Sequence, residues 1–346
     1  MKISSLSEVS TDMANIGIAG SGTWGTALAI HLCGMGHRVT LWSAIEDEIR
    51  AIAEKREHVN LPGVRIPGEI ICTSSDEELC TDQDIIILSV PSIFTRSTAR
   101  RLSSYIKEGQ IVVNVAKGIE EDTLKTQTDI TAEELPMASV CVLSGPSHAE
   151  EVSRGLPTAV VVGAGKRETA EFIQNVFMSP AFRVYTSSDM KGIEIGGSLK
   201  NVIALAAGMS DGLGFGDNAL AALITRGIAE MSRLGKAMDC DPQTFFGLTG
   251  IGDLIVTCGS RHSRNRRAGV LIGKGCSVKA AMDEVKMVVE GVYSAKAGLQ
   301  LARKYGVSMP IVEEVNMILF EDKPASEAVI DLMCRDRRVE HAEVKW

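Results

Sequence analysis

Aromatic side chains and net positive charge are both scarce in this chain of 346 residues. Phe, Trp and Tyr together make up 4% of it, and 44 Asp and Glu outnumber 36 Lys and Arg, which gives a formal net charge of -8. Few rings are therefore available to stack on exposed bases. The acidic balance also argues against a general binder of DNA or of anionic membranes. We expect no nucleic-acid partner.

Metal-site and disulfide patterns are absent as well. The eight cysteines include no C-x-x-C pair, and no Cys/His spacing matches a zinc site. Most of the cysteines stand in apolar stretches, which is typical of reduced, buried thiols in a cytosolic protein. We therefore expect a cytoplasmic protein without a metal.

The one long uncharged run covers residues 16–37, which is long enough to span a membrane. Six glycines interrupt this run, so a strand, a tight turn and a helix explain it better. The first fourteen residues are polar and of mixed charge, without the apolar segment of a signal peptide. We expect an N-terminal extension at 1–14 and no stable membrane insertion.

Up to about residue 190, short apolar runs alternate with helical patterns such as Trp24–Met35 and Glu46–Lys55. This alternation indicates βαβ units and a parallel sheet. The predicted strands are Asn15–Gly20, Arg38–Ser43, Ile70–Thr73, Asp84–Val90, Ile111–Ala116, Ser139–Leu143, Thr158–Gly163 and Arg183–Thr186.

Beyond residue 190 the pattern is almost entirely helical. The chain length also suits two domains. We therefore predict an α/β fold with a domain of alternating strands and helices at 15–190, an all-α domain at 191–346 and a cleft between them. The predicted helices are Ile193–Met209, Asp217–Met238, Val278–Met287, Ser294–Tyr305, Pro310–Phe320 and Ser326–Cys334, and Asp241-Pro242 is predicted to begin a further helix.

A glycine turn, G-S-G-T-W-G, joins the first strand to the first helix. Gly20, Gly22 and Gly25 fit the G-x-G-x-x-G pattern, in which the glycines allow a tight turn, a close approach of a pyrophosphate and close packing of helix on strand. The free N–H groups of the helix N-terminus suit phosphate. A glycine-rich turn without a ligand is the alternative.

The sequence leaves the choice between NAD and NADP open. A fold that prefers NAD usually has an acid at the end of the second strand, where Ser43 and Ala44 stand here. The nearest acids, Glu46 and Asp47, are assigned to the next helix. No Arg is present at this point to favour a 2′-phosphate.

Several further segments combine polar groups with turns or apolar surroundings. Lys117 follows a buried strand, and ligands of open α/β sheets bind at that edge. Lys200 lies in an apolar stretch, where it either snorkels or faces a functional cavity. The other segments are Ser144–Glu150, Thr249–Leu254 and Ser263-Arg264-Asn265. Their alternatives are a solvated Lys117, an ordinary Gly-Pro turn, and a solvated basic loop or small RNA-binding patch at 261–267.

Taken together and in order, the motifs GSGTWGTALA, NVAKGI, LSGPSHAEE, EIGGSLKNVIALAAG, LTGIGDLIVTC, SRN and VVEGV resemble the bacterial-type NAD(P)-dependent sn-glycerol-3-phosphate dehydrogenases. The resemblance covers about residues 15–323. It implies a Rossmann-like N-terminal domain and a helical C-terminal domain like that of 6-phosphogluconate dehydrogenase. It also implies reversible hydride transfer between NAD(P)H and dihydroxyacetone phosphate, which supplies sn-glycerol 3-phosphate for phospholipid synthesis. The expected partner is a small phosphorylated substrate, and a homodimer stays open.

The same resemblance implies roles for individual residues, with Lys200 as the catalytic proton donor or acceptor. The implied substrate residues are Lys117, Gly145, Ser147, Lys200, Asn201, Asp253, Ser263, Arg264 and Asn265. The implied coenzyme residues are Gly20, Gly22, Thr23, Trp24, Gly25, Lys117, Ala149, Arg264, Val288 and Glu290. Ala44 replaces the family's usual basic residue two positions after the second-strand Trp.

These residue types suit ketone reduction, in which negative charge develops on oxygen. Lys200 would donate the proton, Lys117 would lower its pKa, and Asp253 would orient Lys200 or bind a substrate hydroxyl. Arg264, with Asn265, would hold the phosphate. Two alternatives are a related 3-hydroxyacid or 6-phosphogluconate-type dehydrogenase, and a non-catalytic dinucleotide-sensing or RNA-associated protein.

Overall fold

The structure is a computed structural model that describes residues 13–337 and 339–340. Its first half contains one eight-stranded sheet. The strands are β1 (Asn15–Ala19), β2 (Arg38–Trp42), β3 (Ile71–Thr73), β4 (Ile85–Leu88), β5 (Ile111–Asn114), β6 (Ser139–Ser144), β7 (Thr158–Ala164) and β8 (Phe182–Ser187). Their order across the sheet is β3-β2-β1-β4-β5-β6-β7-β8. The first six strands therefore have the 3-2-1-4-5-6 order of dinucleotide-binding folds.

Helices cover both faces of this sheet. They are α1 (Thr23–Gly34), α2 (Glu46–Lys55), α3 (Asp76–Cys80), α4 (Thr95–Leu102), α5 (Gln127–Glu134), α6 (Ala149–Val152) and α7 (Arg167–Phe177). Side chains alternate along each strand, so Ile85 and Ile87 join one apolar core and Ile86 and Leu88 join the other. This arrangement explains why the central strands are continuous apolar runs.

All eight predicted strands are confirmed with small shifts at their ends. The expectation of an entirely parallel sheet is wrong at one place, because β6 and β7 are antiparallel. The connection between them contains only the four-residue helix α6. At 1.5 Å per residue, one turn of helix spans about 6 Å and is too short to return the chain along a strand of about 20 Å.

After β8 the described chain contains helices only. They are α8 (Met190–Gly212), α9 (Asp217–Ala237), α10 (Pro242–Phe245), α11 (Asp253–Gly259), α12 (Arg264–Gly273), α13 (Val278–Val285), α14 (Glu290–Tyr305), α15 (Pro310–Phe320) and α16 (Ala325–Met333), with a π-helical turn at Leu248–Gly252. The predicted Rossmann-like sheet and helical second half are thus both present. Residues 1–12 of the predicted N-terminal extension lie outside the described residues. No helix of the described chain is both long and apolar enough to cross a bilayer.

Helix α8 is the central element of the second half and is buried along most of its length. Its first residues are anchored at two points. Asp189 caps the helix by accepting a hydrogen bond from the Gly192 N–H at 2.9 Å. About one turn later, Glu194 accepts two hydrogen bonds from Thr128, the second residue of α5. One comes from the backbone N–H at 2.8 Å and the other from the hydroxyl group. The Glu194–Thr128 contacts hold α8 against α5 of the sheet domain.

Helix α12 crosses α8 at very short range. A Cβ atom on Gly269 would lie 2.2 Å from the backbone oxygen of Leu205, and one on Gly208 would lie 2.1 Å from that of Arg266. Only glycine permits this approach, because any side chain would overlap the facing backbone. The crossing places the N-terminus of α12 beside the middle of α8.

Candidate active site

The glycine turn after β1 has the geometry of a phosphate cradle. Gly20 has a φ of +124°, which favours glycine, and a Cβ on Gly25 would lie 1.9 Å from the Gly20 oxygen. Gly22, in contrast, faces open space. It also precedes α1 without providing a side-chain cap for the helix. The open backbone of Gly22 and the uncapped N–H groups of α1 therefore fit a coenzyme pyrophosphate.

Two lysines share one buried carboxylate where the end of β5 meets the helical half. Lys117 lies just beyond β5, Lys200 is in the middle of α8, and Asp253 is the first residue of α11. The Lys117 Nζ atom lies 2.6 Å from Oδ2 of Asp253, and the Lys200 Nζ atom lies 2.7 Å from Oδ1. Lys200 is 6% exposed and Asp253 is 1% exposed, so this cluster is almost closed to water.

Burial and charge determine the protonation of this cluster. Burial lowers the pKa of Lys200 to about 8, with Asp253 opposing the change and Lys117 adding to it. Burial alone would raise the pKa of Asp253, but the two ammonium groups outweigh it and hold that pKa below its ordinary value. At neutral pH the cluster therefore contains an ionised carboxylate and a lysine that can exchange its proton.

Thr257 is a further member of the cluster that the sequence analysis missed. The Lys200 Nζ atom donates to its Oγ1 at 2.7 Å, and this hydroxyl donates to the Asp253 backbone oxygen at 2.6 Å. Asp253 and Thr257 are four residues apart on α11, so they lie on one face of that helix. That i, i+4 spacing is the sequence signal that could have identified Thr257.

The loop after β6 lies beside Lys117. Lys117 Nζ donates to the Gly145 backbone oxygen at 3.0 Å, and the Ser147 hydroxyl donates to the same oxygen at 3.0 Å. Gly145 has a φ of +152°, and a Cβ there would lie 2.9 Å from Cα of Val160. Ala149 then begins α6, which packs on α1. The loop therefore joins the lysine cluster to the glycine-turn helix.

The Ser263-Arg264-Asn265 segment begins a helix, so the alternative of a solvated basic loop does not describe these three residues. Ser263 caps α12 by accepting a hydrogen bond from the Arg266 N–H at 3.1 Å, and Arg264 is the first residue of the helix. The basic cluster is also partly neutralised, because Arg266 pairs with Asp211 at 2.8 Å. Arg264 is half-buried at the N-terminus of α12, between the buried Ser263 and Asn265.

Asn265 is buried and bonded within the protein. Its Nδ2 donates to Oδ1 of Asn201 at 2.9 Å, and its Oδ1 accepts a hydrogen bond from the Gly291 N–H at 2.8 Å. The Asn265 side chain thus links α12 to α8 and α14 at the residue that follows Arg264. One amide hydrogen of Asn265 is still available to a ligand.

Val288 and Glu290 lie at the start of α14, where the helical half meets the loop after β4. Glu290 accepts hydrogen bonds from the N–H of Ser92, at 3.0 Å, and from its hydroxyl. Burial raises the pKa of Glu290, and the hydrogen bonds from Ser92 oppose that change. Ser92 was not a predicted site residue, because a serine in a Pro-Ser turn has no distinctive sequence signal.

The structure brings the predicted residues together at the carboxyl edge of the sheet in two adjoining groups. In one group, Ala149 lies on α6, which packs on α1 after the glycine turn, and Glu290 contacts Ser92 after β4. The lysine cluster lies beyond β5 and β6, and α12 adjoins both groups, because Asn265 bonds to Asn201 of α8 and to Gly291 of α14. A family model described as NAD-dependent glycerol-3-phosphate dehydrogenase N-terminus matches residues 15–170, and one described as the C-terminus of the same enzyme matches residues 189–330. The chain belongs to this family.

Individual relatives cover nearly the whole chain. A glycerol-3-phosphate dehydrogenase [NAD(P)+] of Agathobacter rectalis is 61% identical over 335 residues, which is 96% of this chain and 100% of the relative. One of Fusobacterium nucleatum is 56% identical over 331 residues, 95% of this chain and 99% of the relative. The crystal structure of a Coxiella burnetii glycerol-3-phosphate dehydrogenase has a TM-score of 0.90, 35% identity, and coverage of 93% and 99% of the two chains. The predicted family, fold class and NAD(P)-dependent enzyme class are confirmed.

Proposed function

We propose that the protein interconverts dihydroxyacetone phosphate and sn-glycerol 3-phosphate with NAD(P)(H), and so supplies glycerol 3-phosphate for phospholipid synthesis. The observation that supports this most directly is the buried Lys117–Asp253–Lys200 cluster at the carboxyl edge of a dinucleotide-binding sheet. We also propose the cytoplasm as its location, in keeping with the eight free cysteines.

Lys200 is proposed as the group that moves the proton. As the ketone carbon is reduced, its oxygen becomes an alkoxide, and the Lys200 ammonium stabilises that charge and donates its proton to the oxygen. In the reverse direction, neutral Lys200 accepts the hydroxyl proton. A pKa of about 8 suits both directions, because each protonation state is populated near neutrality.

Asp253, Thr257 and Lys117 are proposed to prepare Lys200 for this role. Asp253 and Thr257 fix the position of its Nζ atom through contacts of 2.7 Å each. Lys117 brings a second positive charge to the same carboxylate. This positive charge stabilises an adjacent oxyanion and favours release of the Lys200 proton. Ser147 and Gly145 are proposed to line the substrate side of the strand edge.

Arg264 is proposed to hold the substrate phosphate through its guanidinium group, which binds phosphate in a bidentate manner. Ser263 caps the N-terminus of α12, where Arg264 lies. The hydrogen bond between Asn265 and Asn201 fixes this end of α12 against α8. Binding the remote phosphate orients the reacting carbon.

We propose that residues 15–190 bind the coenzyme and that residues 191–346 supply most of the substrate site. When bound, the nicotinamide coenzyme supplies or accepts the hydride. We propose that the pyrophosphate of the coenzyme lies against the glycine turn, at Gly20, Gly22, Thr23, Trp24 and Gly25. We propose that the part of the coenzyme between the pyrophosphate and Lys117 contacts Ala149, Val288 and Glu290.

The direct test supplies purified protein with dihydroxyacetone phosphate and NADH or NADPH, and follows the loss of the reduced coenzyme by absorbance. We expect turnover with this substrate, and little with 3-hydroxyacids or 6-phosphogluconate in the oxidative direction. Absence of turnover with either coenzyme, or a clear preference for one of the other substrates, would refute the proposal.

A further inference from the structure

The end of β2 lies directly beside the glycine turn. The Gly20 N–H donates to the Trp42 backbone oxygen at 2.9 Å, and the chain then passes through Ser43 and the exposed Ala44 into α2. In dinucleotide folds, this strand end is where the adenosine ribose binds. The residues around it therefore decide whether a 2′-hydroxyl or a 2′-phosphate is accepted.

A carboxylate reaches this strand end from α2. Glu48 is the third residue of α2, and its Oε2 lies 3.5 Å from the hydroxyl oxygen of Ser43. That hydroxyl oxygen also accepts a hydrogen bond from the Ile45 N–H at 3.2 Å, which fixes its position. The acid that the strand end itself lacks is thus provided by the first turn of the following helix.

The charge around this point is strongly negative. Glu46, Asp47 and Glu48 form the first turn of α2, and residues 43–49 contain no Lys or Arg. The next cation along the chain, Arg50, pairs with Glu46 at 2.6 Å. On the other face of the sheet, Arg101 is bound to Asp76 at 2.6 Å. In this part of the described chain, the nearby guanidinium groups are therefore already paired with acids.

His58 is a further side chain near this point that could carry positive charge. It is buried, and its ring interacts with Glu48 and with the Ser21 backbone. Its Nδ1 accepts a hydrogen bond from the Asn60 N–H at 3.1 Å, so this nitrogen carries no proton. Burial lowers the pKa of His58, with Glu48 and the Ser21 contact opposing the change. The lowered pKa favours the uncharged ring, which offers no cation to a phosphate.

We propose that Glu48 accepts the 2′-hydroxyl of the coenzyme's adenosine ribose, and that the chain consequently binds NADH in preference to NADPH. An ionised carboxylate accepts a strong hydrogen bond from a hydroxyl group. The same carboxylate repels a 2′-phosphate, and the two other acids of the turn add to this repulsion. The inference depends on the proposed use of a nicotinamide coenzyme.

Direct binding tests the inference separately from catalysis. The dissociation constants of NADH and NADPH are measured without substrate, by titration of the fluorescence of the reduced nicotinamide. We expect NADH to bind at least about tenfold more tightly, the effect of one charge-assisted hydrogen bond. Equal affinities, or tighter NADPH, would overturn it. If neither coenzyme binds, the proposed function itself fails.

Two variants assign the preference to specific residues. Glu48→Gln should weaken NADH and strengthen NADPH, each by several-fold, and Ala44→Arg at its exposed position should mainly strengthen NADPH. The matched control is Glu54→Gln, the same change at an exposed site about 9 Å farther along α2, which should preserve the preference. If Glu48→Gln behaves like Glu54→Gln, Glu48 does not set the preference and the proposal is wrong.

Discussion

The Nζ atom of Lys200 lies 2.7 Å from Oδ1 of Asp253, and both side chains are almost completely buried. Isolated, either charge would be very costly at this depth. Together with Lys117 they leave one net positive charge in the cluster, which lies beside the cleft where an anionic substrate would bind. The arrangement retains a charged, proton-bearing lysine in a site nearly free of water.

Replacing Lys200 tests its role in proton transfer. We expect Lys200→Met to lower kcat by about 10²- to 10⁴-fold, the usual contribution of a positioned acid or base, while NADH affinity changes little. The exposed Lys191, on the same helix, provides the control Lys191→Met, which should retain near-normal turnover. Near-normal kcat in Lys200→Met would remove Lys200 from the mechanism.

The pH dependence should follow the ionisation of Lys200. Reduction of the ketone needs the protonated form, so kcat in that direction should fall as the pH rises through about 8. Oxidation needs the neutral form, so its kcat should rise over the same interval. Asp253 opposes the lowering of the Lys200 pKa, so Asp253→Asn should move both profiles toward lower pH. Profiles that do not move in this variant would contradict the assignment.

Arg264 should govern substrate affinity more than the chemical step. Because its guanidinium is proposed to bind the phosphate, Arg264→Gln should raise KM for dihydroxyacetone phosphate by about 10- to 100-fold, the value of one or two charge-assisted hydrogen bonds. Arg267→Gln, an equal loss of charge at an exposed position of the same helix, should leave KM nearly unchanged. Equal effects of the two substitutions would indicate only a general loss of positive charge.

Local patterns in the sequence account for much of the fold. Strands such as Ile85–Leu88 are continuous apolar runs, and α15 begins and ends at the predicted residues 310 and 320. The short helices α4 and α5 were missed because their buried faces consist largely of Thr, Gln and Ala, so the apolar periodicity is weak. Their helical state depends on packing against the sheet, which a single segment does not reveal.

The site was predicted less completely than the fold, for a similar reason. The glycine turn is a local motif and could be recognised within six residues. The sequence could not decide whether Lys200 snorkels or is buried, because its partners Asp253 and Thr257 come more than fifty residues later. Likewise, the Ser92–Glu290 contact joins residues from the two halves of the chain. Such contacts depend on how α8 and α14 pack on the sheet.

The close crossing of α8 and α12 should be sensitive to a single methyl group. Gly269→Ala would place Cβ 2.2 Å from the Leu205 oxygen, so the helices must separate. We expect a loss of about 1–3 kcal/mol in the free energy of unfolding, together with a higher KM as Arg264 moves with α12. The control is Gly34→Ala on α1, where the added methyl meets open space. Unchanged stability in Gly269→Ala would mean that the crossing is looser than described.

Glu230 should make the stability of the helical half depend on pH. Its carboxyl accepts hydrogen bonds from the Ile311 N–H at 2.9 Å and the Val312 N–H at 3.4 Å, which begin α15. Burial raises its pKa to about 7, although these hydrogen bonds oppose the change. A carboxyl with a raised pKa binds more protons in the folded state, so its contribution to stability is fully present below about pH 4.5 and is lost as the pH rises through 7.

Denaturant unfolding of Glu230→Gln across this range isolates the effect. The amide keeps one acceptor oxygen for these N–H groups and does not ionise, so the variant should lose less stability than the wild type between pH 5 and pH 8. Glu230→Ala leaves two buried donors unpaired and should cost about 1–3 kcal/mol at every pH. Glu321→Gln, at an exposed position just after α15, should keep the wild-type pH dependence. An identical pH dependence in Glu230→Gln and the wild type would show that Glu230 titrates normally, as it would if water reached its carboxyl at the start of α15.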